Sequence, residues 1–379
     1  MLKYRTWVEI SEKAVKHNIS ELQNLLSPKV RFCAVVKANA YGHGQKEIVN
    51  IASRVGVDAF AVDSLDDALE LRKRLPSALI FILGYTLKNR LYEVVEANLH
   101  ATVYDHESIC LLEEAATKLA KAAYANLKLE TGTNRQGVRE EDLVGILETF
   151  KNSPHVKLDG VSTHYANIED TTDPSYATMQ YAKYGQMVDI IFEHGFEPNH
   201  LHTACSAAII LYPDTHGTLA RAGISMYGIW SSDQVEQTAR RHSVHCDLES
   251  VLSWKTRIAQ IKHVPAGEPI GYGLSERVSR DCRIAVLPVG YWDGYDRKLS
   301  GIGYVLVKGQ RCKIVGRICM NMCMIDVSSV PNIEVEEEVI LLGRAGRFSI
   351  RAKEFASWCE TIPYEVVTRI NPQIPRIVV

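Results

Sequence analysis

The sequence predicts two domains, a (β/α)8 barrel over residues 1–240 and a mostly β domain over residues 241–379, so the fold class is α/β plus β. Three observations favour this division. The chain of 379 residues exceeds what one hydrophobic core usually supports. Short apolar runs alternate with helical patterns in the first part, and β-type runs separated by turns follow residue 240. Residues 1–10 are a candidate for pairing with the second domain.

The barrel is predicted from eight strand-then-helix units between residues 11 and 230. Ser11 can cap a helix in the pattern EKAVKHNISELQNLL, and Ser64 with Asp67 forms a capping-box pattern ahead of ALELRKRL. So many similar units are typical of a closed barrel rather than of an open doubly wound sheet. The expected strands are 32–36, 59–62, 79–83, 101–104, 125–129, 158–163, 201–204 and 218–222.

The second domain is predicted from β-rich runs that are separated by turns. Two short helices are expected near its end, over residues 351–360 and 364–369. The β-rich runs are 251–264, 283–290, 303–309, 311–318, 322–327 and 337–343.

Charge is balanced along the chain, with 43 Lys and Arg residues against 45 Asp and Glu residues and a net charge of -2. This balance indicates neither nucleic-acid nor anionic-membrane binding and favours a small-molecule partner. The N-terminal segment MLKYRTWVEI lacks an apolar signal core, and no later stretch approaches the roughly 18 apolar residues of a membrane span. We therefore expect a soluble, cytoplasmic protein.

The nine cysteines are odd in number and scattered, so neither a disulfide framework nor a metal site is predicted from them. Cys319 and Cys323 have a CxxxC spacing that a metal pair could use. No second pair or histidine cluster lies near them in the sequence, so packing is favoured over ligation. We expect no metal.

Reactive side chains follow the predicted barrel strands where each strand ends. The carboxyl ends of barrel strands face one mouth, where active sites of this fold lie. We therefore expect these side chains to share one site. They are Lys37 after the first strand, Lys128 and Arg135 after the fifth, His164 after the sixth, Ser206 after the seventh and Arg221 in the eighth.

Lys37 is the candidate nucleophile of this site. By itself, a lysine at a strand end is more often a surface cation whose stem lies along apolar residues. Here two valines precede it, so its stem is expected inside the barrel, where desolvation favours the uncharged amine that attacks an aldehyde. This chemistry is Schiff-base formation.

A phosphate site is predicted beside this amine. The segment Arg221-Ala-Gly-Ile-Ser offers the backbone N–H groups of Gly223 and Ile224 at a helix start, and Ser206 offers a hydroxyl group. The alternative for this segment is an ordinary glycine-containing turn. An aldehyde and a phosphate together indicate pyridoxal 5'-phosphate.

Four motifs carry a resemblance that spans almost the whole chain: AVVKANAYGHG, RAGISMYG, GYG at residues 271–273, and GRICMNMCMIDV. In this order they closely resemble the alanine racemases, which are barrel-type pyridoxal-phosphate isomerases with a C-terminal β domain. The resemblance implies interconversion of L-alanine and D-alanine, which provides D-alanine for the bacterial cell wall. It also implies a head-to-tail homodimer, with active sites at the interface.

The resemblance implies two catalytic bases. Lys37 is the residue that binds the cofactor's aldehyde and takes the α-proton of the D-substrate. Tyr272 acts from the opposite face on the L-substrate and reaches the site from the other subunit. Because a phenol holds its proton firmly in water, Tyr272 needs a neighbour, which the resemblance identifies as His164, itself linked to Arg221. The alternative for Tyr272 is an ordinary strand aromatic.

The resemblance also implies roles for the remaining site residues. Arg221 faces the cofactor's ring nitrogen, Arg135 contacts the phenolic oxygen and the substrate carboxylate, and Lys128 matches a lysine that many members carry as a carbamate. Without carbamylation, Lys128 is a simple barrel lysine. The phosphate-binding positions are Tyr41, Ser206, Gly223, Ile224 and Tyr364, and the substrate-binding positions are Arg135, Met320, Tyr291 and Asn321.

Several positions depart from the usual family pattern without removing a catalytic group. Trp292 and Asn321 lie in segments that the resemblance places around the entrance, so we expect altered access or substrate breadth. The other departures are Glu130, Asn134 and Cys205. Alternative functions are a serine or broad-specificity racemase of the same family, a barrel-type amino-acid decarboxylase and a non-catalytic pyridoxal-phosphate carrier.

Overall fold

The computed structural model describes residues 3–379, which form two compact units. One unit, the barrel unit, comprises Lys16–Ala38 and Asn50–Leu248. The other, the β unit, comprises residues 3–15, Asn39–Val49 and Glu249–Val379. No helix within residues 3–379 combines the length and the apolar character that crossing a membrane requires.

Nine strands lie within residues 3–230. Eight of them, β2 to β9, are parallel neighbours in the order β8-β7-β6-β5-β4-β3-β2-β9. The nine strands are β1 Thr6–Ile10, β2 Arg31–Val35, β3 Ala59–Val62, β4 Leu79–Ile82, β5 His100–Val103, β6 Ala123–Lys128, β7 Val156–Ser162, β8 His200–His202 and β9 Leu219–Ala222.

Two backbone hydrogen bonds join the ends of this strand order. The Thr218 N–H donates to the Leu201 carbonyl oxygen at 2.9 Å, and the Arg221 N–H donates to the Ala204 carbonyl oxygen at 3.1 Å. The first and last strands of the order therefore meet, and the sheet approaches a closed barrel.

Helices follow most barrel strands in the chain. They are α1 Glu12–Asn24, α2 Lys37–Tyr41, α3 Gln45–Arg54, α4 Leu65–Arg74, α5 Leu91–Glu96, α6 His106–Leu119, α7 Glu140–Lys151, α8 Ser175–Glu193, α9 Ser206–Leu211 and α10 Asp233–Arg241. The Ala14 N–H donates to the Ser11 hydroxyl oxygen at 3.2 Å, and the Asp67 N–H donates to that of Ser64 at 3.2 Å. Both predicted caps are present, since each hydroxyl accepts a bond from an N–H of the first helical turn.

The β unit is built on one mostly antiparallel sheet in the order β11-β12-β15-β14-β13-β16-β10-β1-β18, with β17 paired to β16. The N-terminal strand β1 pairs antiparallel with β10 and parallel with β18. The remaining strands are β10 Leu252–Arg257, β11 Gln260–Val264, β12 Cys282–Leu287, β13 Tyr304–Val307, β14 Gln310–Val315, β15 Cys323–Asp326, β16 Glu338–Ala345, β17 Phe348–Ile350 and β18 Arg376–Val378, and the helices are α11 Ala352–Cys359 and α12 Pro363–Thr368.

The predicted fold class, a (β/α)8 barrel followed by a mostly β domain, is confirmed. The barrel strands were identifiable because parallel strands are covered on both faces and therefore appear as apolar runs. All four residues of β3 and of β5 are buried, for example. In the β unit, strand β10 alternates between buried and half-buried residues, as a sheet with unlike faces requires.

Helix α2 is left-handed, which the sequence analysis did not predict. Its residues after Lys37, namely 38–41, all have φ between 51° and 54°. Such a backbone costs roughly 1–2 kcal/mol per residue, so other contacts must hold it. The His43 ring nitrogen Nδ1 lies 2.9 Å from the Tyr41 carbonyl oxygen, and the Gly44 N–H donates to the Asn39 carbonyl oxygen at 2.9 Å.

Candidate active site

Lys37 lies directly after β2, at the carboxyl end of that strand. Its amine is 3.9 Å from the Asp63 carboxylate, which follows β3. The side chain is 39% exposed, so its stem is more accessible than the two preceding valines led us to expect. An accessible amine beside a strand end can meet a small ligand without rearrangement of the core.

Lys128 ends strand β6 and lies among other cations. Burial, together with the positive charges of Arg221 and Arg135, holds the pKa of its amine well below the ordinary value, and the charge of Glu130 opposes this only in part. The uncharged amine is therefore favoured, which is the form that reacts with electrophiles.

Arg221 is a buried arginine in β9, held by backbone oxygens. Its Nη1 atom donates to the His202 carbonyl oxygen at 2.7 Å, and its Nη2 atom donates to the Thr163 and Thr203 carbonyl oxygens at 2.9 and 3.1 Å. The Nη1 atom also contacts Nδ1 of the His202 ring. These partners fix the plane of the guanidinium, because its N–H bonds lie in that plane and point in fixed directions.

A polar network behind Arg221 determines the tautomer of His202. The Asn126 amide nitrogen donates to the hydroxyl oxygens of Thr102 and Ser162, at 3.2 and 3.0 Å. Its oxygen therefore faces His202 Nε2, 2.8 Å away, and Nε2 must carry the hydrogen. Nδ1 is then an acceptor for the Arg221 guanidinium. Burial and the Arg221 charge hold the pKa of His202 well below its ordinary value, which keeps the ring neutral.

His164 follows β7, and its backbone carbonyl oxygen accepts a hydrogen bond from Gln180 Nε2 at 3.2 Å. Burial, followed by the charges of Arg221 and Lys128, holds the pKa of its ring well below the ordinary value. The family resemblance links His164 to Arg221. In the structure Arg221 influences His164 through its charge, and the His202 ring also contacts the guanidinium.

Glu130 organises the loop that carries Arg135. Its carboxylate accepts hydrogen bonds from the Gly132 N–H at 2.6 Å and from the Arg135 N–H at 3.1 Å. Burial raises the pKa of Glu130, but the backbone N–H groups of Asn134 and Gly132 outweigh it and lower the pKa overall. Glu130 therefore stays ionised and holds the loop.

The predicted phosphate segment brings Ser206 and Gly223 together. Ser206 begins helix α9, and its hydroxyl oxygen accepts from the Gly223 N–H at 3.0 Å and from the Ser225 N–H at 3.3 Å. Ile224 begins a short 3-10 helix, Ile224–Tyr227. Within residues 3–379 the buried Ser225 hydroxyl oxygen has no hydrogen-bond partner. Such a group is typical of a place where a polar ligand completes the hydrogen bonding.

Tyr41 and Tyr364, the other predicted phosphate-binding residues, lie together in the β unit. Their ring centroids are 6.2 Å apart and their planes are inclined by 56°. The next residue, Gly42, has φ of 82°, and a Cβ atom there would overlap the Val367 carbonyl oxygen. The close approach of helix α12 to this turn therefore requires glycine.

Tyr272 lies in a groove of the β unit with the predicted substrate-binding residues Tyr291, Met320 and Asn321. The groove has a volume of about 880 Å³. Tyr272 is 72% exposed, and the glycines on both sides of it have φ of 71° and 74°. The GYG segment thus holds the phenol on a backbone that only glycine adopts without strain.

The barrel-unit residues fit an anionic ligand that carries a phosphate. Lys37, Lys128, Arg135 and Arg221 interact electrostatically in one cluster, and Glu130 is the carboxylate that acts on Lys128 within it. Positive charges this close together are costly unless an anion offsets them, so these basic side chains favour an anionic ligand even when the Lys128 amine is uncharged. The Ser206 hydroxyl and the N–H groups near Gly223 supply the hydrogen-bonding surface that phosphate oxygens take.

The two parts of the chain match the two parts of one family. Residues 10–231 match the alanine racemase N-terminal domain, and residues 251–378 match the alanine racemase C-terminal domain. The chain belongs to the alanine racemase family. Alanine racemases of Methanococcus maripaludis and Leptospira interrogans are each 36% identical to it, with coverage of 100% and 99% of this chain and 99% and 96% of theirs.

Solved structures of alanine racemases share the fold of this member. The Bacillus anthracis alanine racemase, solved with bound L-Ala-P, superposes with a TM-score of 0.93 at 32% identity and covers 100% of this chain and 96% of its own. A histidine racemase from Leuconostoc mesenteroides superposes with a TM-score of 0.88 at 27% identity, covering 100% and 99%. The similarity therefore extends across both units.

Several residues that organise this alanine racemase family site were not predicted from the sequence. His202 and Asn126 position Arg221, Asp63 lies near Lys37, and Glu130 was noted only as a departure from the family pattern. A usable signal existed for Asn126, because a polar residue inside the apolar strand AYANLK must find partners. No signal in the sequence specifies which partners these are.

Proposed function

We propose that the chain is an alanine racemase that uses Lys37 and Tyr272 as its two bases. One observation carries the proposal. An accessible lysine amine lies at a barrel strand end next to a cluster of cations, in a chain that matches alanine racemases over both domains. The barrel, proposed as residues 1–240, binds the cofactor, and residues 241–379 supply Tyr272.

Pyridoxal 5'-phosphate is the cofactor that these residues would hold. When bound it withdraws electrons from the substrate's α-carbon and so acidifies the α-hydrogen. Lys37 would hold its aldehyde, and Arg135 and His164 would line its ring. Arg221 would lie opposite the ring nitrogen. The phosphate would be held by Tyr41, Ser206, Gly223, Ile224 and Tyr364.

Racemisation requires proton transfer on two faces of one carbon atom. A single base returns a proton to the face it came from, so two opposed groups give inversion. The Lys37 amine takes the α-proton of D-alanine, and the Tyr272 phenolate oxygen takes that of L-alanine. His164, whose ring is kept neutral by burial and nearby charge, can accept a hydrogen bond from the phenol and help it release its proton.

Arg221 acts as a fixed cation that keeps its proton at neutral pH. His202 and three backbone carbonyl oxygens take the four Nη hydrogens and hold the guanidinium in place, so its Nε–H is the donor left for an opposing nitrogen atom. A donor in this place keeps the opposing nitrogen unprotonated. This limits the electron withdrawal that side reactions such as transamination need.

The carboxylate of the substrate meets Arg135 and the backbone N–H of Met320. Glu130 holds the Arg135 loop, so the backbone that carries the Arg135 guanidinium is fixed in place. Tyr291 and Asn321 line the same groove as Met320 and complete the substrate site.

A homodimer is proposed in which the partner supplies Tyr272 and Met320. The β unit exposes large apolar side chains around the Tyr272 groove: Tyr272 72%, Leu274 61%, Trp292 57%, Met320 54% and Met322 48%. A monomer seldom leaves such a concentration of apolar side chains in water, and a second copy would cover it. Sedimentation should therefore give the mass of two chains.

Lys128 is proposed to carry a carbamate. Its lowered pKa favours the uncharged amine, which adds carbon dioxide, and the product is an anion. That anion would offset the surrounding cations and orient Arg135. Mass spectrometry under native conditions should show the added carbon dioxide, and Lys128→Ala should remove it.

The cytoplasm is the proposed location, and D-alanine for the cell wall is the proposed product. All nine cysteines are free thiols, as is usual in a reducing compartment. A serine or broad-specificity racemase is not favoured, because the relatives that match the full chain are named alanine racemases. The decarboxylase and carrier alternatives lack support for the same reason.

The deciding experiment uses the cofactor-loaded protein and a panel of L-amino acids. Chiral chromatography should show D-alanine as the fastest-formed product, with no release of carbon dioxide. Borohydride reduction and peptide mapping should place the cofactor on Lys37. A protein that binds the cofactor and leaves L-alanine unchanged would contradict the proposal.

A further inference from the structure

Three ligating side chains meet in the barrel unit at the ends of the strands opposite to the active site. His100 is the first residue of β5, and His200 is the first residue of β8. Asp159 lies in β7 beside them, since its neighbour Gly160 is paired with His200. Lys128 and Arg221, in contrast, lie toward the carboxyl ends of their strands. The cluster is therefore separate from the residues assigned to racemisation.

The ligating atoms of this cluster are close together. His100 Nε2 is 2.7 Å from Asp159 Oδ2, and His200 Nε2 is 3.5 Å from the same oxygen. One nitrogen or oxygen atom from each of the three residues lies within 4.8 Å of the other two. Ligands of a tetrahedral zinc ion lie roughly 3.3–3.5 Å apart, as bond lengths near 2.0–2.1 Å require. The three atoms need only small shifts to reach this geometry.

The cluster is anchored and nearly enclosed. The Asn199 amide donates to Asp159 Oδ1 at 2.7 Å, which leaves Oδ2 directed to the histidines. The His100 ring stacks on Tyr124 at 4.9 Å, and the His200 ring packs edge-on against Phe81 at 5.7 Å. The side chains of His100, Asp159 and His200 are only 8%, 10% and 14% exposed.

The second ring nitrogen of His100 is not one of the ligating atoms. This Nδ1 atom is buried and has no hydrogen-bond partner within residues 3–379. If Nε2 binds a metal ion, its hydrogen must leave, and Nδ1 of the same ring can carry it. The ligand tautomer is therefore accessible without breaking another hydrogen bond.

We propose that His100, Asp159 and His200 form a zinc site that ties β5, β7 and β8 together at the amino-terminal end of the barrel. Two imidazole nitrogens and one carboxylate oxygen suit Zn²⁺, whereas Mg²⁺ and Ca²⁺ take oxygen ligands. Water takes the fourth position. The site joins strands that are far apart in sequence, so a bound ion stabilises the folded barrel and has no role in proton transfer.

Zinc binding can be measured on the cofactor-loaded dimer that has been stripped with a chelator, dialysed and then supplied with Zn²⁺. After unbound Zn²⁺ is removed, we expect elemental analysis to give one tightly held zinc ion per chain. The melting temperature should be higher than that of the stripped protein. Co²⁺ should give the visible absorption of a site with nitrogen ligands, and Zn²⁺ should abolish it by competition.

Two variants test the residues, and one variant serves as a matched control. Asp159→Asn and His200→Gln should each weaken zinc binding at least about tenfold, an effect that even residues outside the ligand set can reach. His155→Gln removes another histidine that is paired with a carboxylate, His155–Glu113, from the same unit and should leave binding unchanged. If Asp159→Asn does not fold, His200→Gln decides.

Racemase activity distinguishes this proposal from the proposed function. The wild type should retain racemase activity after zinc is removed at a temperature well below its melting point. Full zinc occupancy in both ligand variants, or no tightly bound zinc in the wild type, would overturn the site and leave the racemase assignment intact.

Discussion

The Arg135 N–H donates to the Glu130 carboxylate at 3.1 Å, so a buried acid holds the backbone of the residue proposed to bind the substrate carboxylate. The same carboxylate also accepts from Gly132 at 2.6 Å. Glu130 is thus a positioning residue, since it reaches the substrate only through the loop that it organises.

Glu130→Gln should therefore impair substrate binding more than turnover. An amide has one acceptor oxygen and presents an NH₂ group to the second backbone N–H. Loss of that charged hydrogen bond costs about 1.5–3 kcal/mol. We expect KM for alanine to rise roughly tenfold with a smaller change in kcat. Glu130→Asp should restore most of the affinity, and Glu141→Gln, on the surface of α7, should change neither constant.

Tyr272→Phe should separate the two proton transfers. Without the phenolic oxygen, exchange of the α-hydrogen of L-alanine should fall by about 10²- to 10⁴-fold, the usual contribution of a general base. Exchange of the D-alanine α-hydrogen, assigned to Lys37, should persist. Nuclear magnetic resonance in D₂O measures both. Equal loss from both enantiomers would contradict the division of roles, and Tyr304→Phe provides a control.

Lys37→Arg should abolish racemisation while it retains a positive charge near Asp63. The guanidinium is neither a nucleophile toward an aldehyde nor a base at neutral pH, so kcat should fall by at least about 10³-fold. Borohydride should then fix no cofactor at position 37. Substantial activity in this variant would exclude Lys37 as the essential amine.

Trp292→Ala should broaden the substrate range. Trp292 is 57% exposed, and its backbone N–H donates to the Met320 carbonyl oxygen at 3.0 Å, which places it next to a proposed substrate residue. Removal of the indole should raise turnover of serine relative to alanine. Trp292→Phe keeps an aromatic ring and should resemble the wild type. An unchanged ratio in Trp292→Ala would refute the idea.

Acid should destabilise the turn that His43 holds. Burial lowers the pKa of His43 to about 4, below the ordinary 6.5, so the unfolded chain takes up a proton first as pH falls. His43 therefore contributes stability above pH 6.5 that is lost between pH 6.5 and pH 4. The loss amounts to about 3 kcal/mol at 1.36 kcal/mol per pKa unit.

His43→Gln should reduce this pH dependence. Urea unfolding of the wild type and the variant at pH 7 and pH 4.5 measures it, with tryptophan fluorescence as the signal, since Trp7 and Trp254 are fully buried in the same unit. The variant is less stable at pH 7 because it loses the ring contacts to the turn. Its further loss on acidification should be smaller, and an equal loss would show that His43 does not titrate as argued.

Sequence patterns predicted the secondary structure because both units depend on periodic burial. Each predicted barrel strand overlaps an observed one, as at 59–62 and β3, and the β-rich runs after residue 250 overlap β10 to β16. Strands β17 and β18 lay outside these patterns, and β1 was expected only as a candidate pairing of residues 1–10 with the second domain. The short strands β1, β17 and β18 have weak local signals, and their pairing depends on partners distant in the chain.

The sequence by itself determined the family, the order of the strands and helices and the identity of the strand-end side chains, because spacing and residue type are local properties. Only the tertiary structure decided that α2 is left-handed, that the His202 ring contacts the Arg221 guanidinium, and that His100, Asp159 and His200 converge. Some of those relationships join residues up to 100 positions apart. The left-handed helix depends on contacts elsewhere that offset its backbone strain, so no short segment of the sequence contains the information.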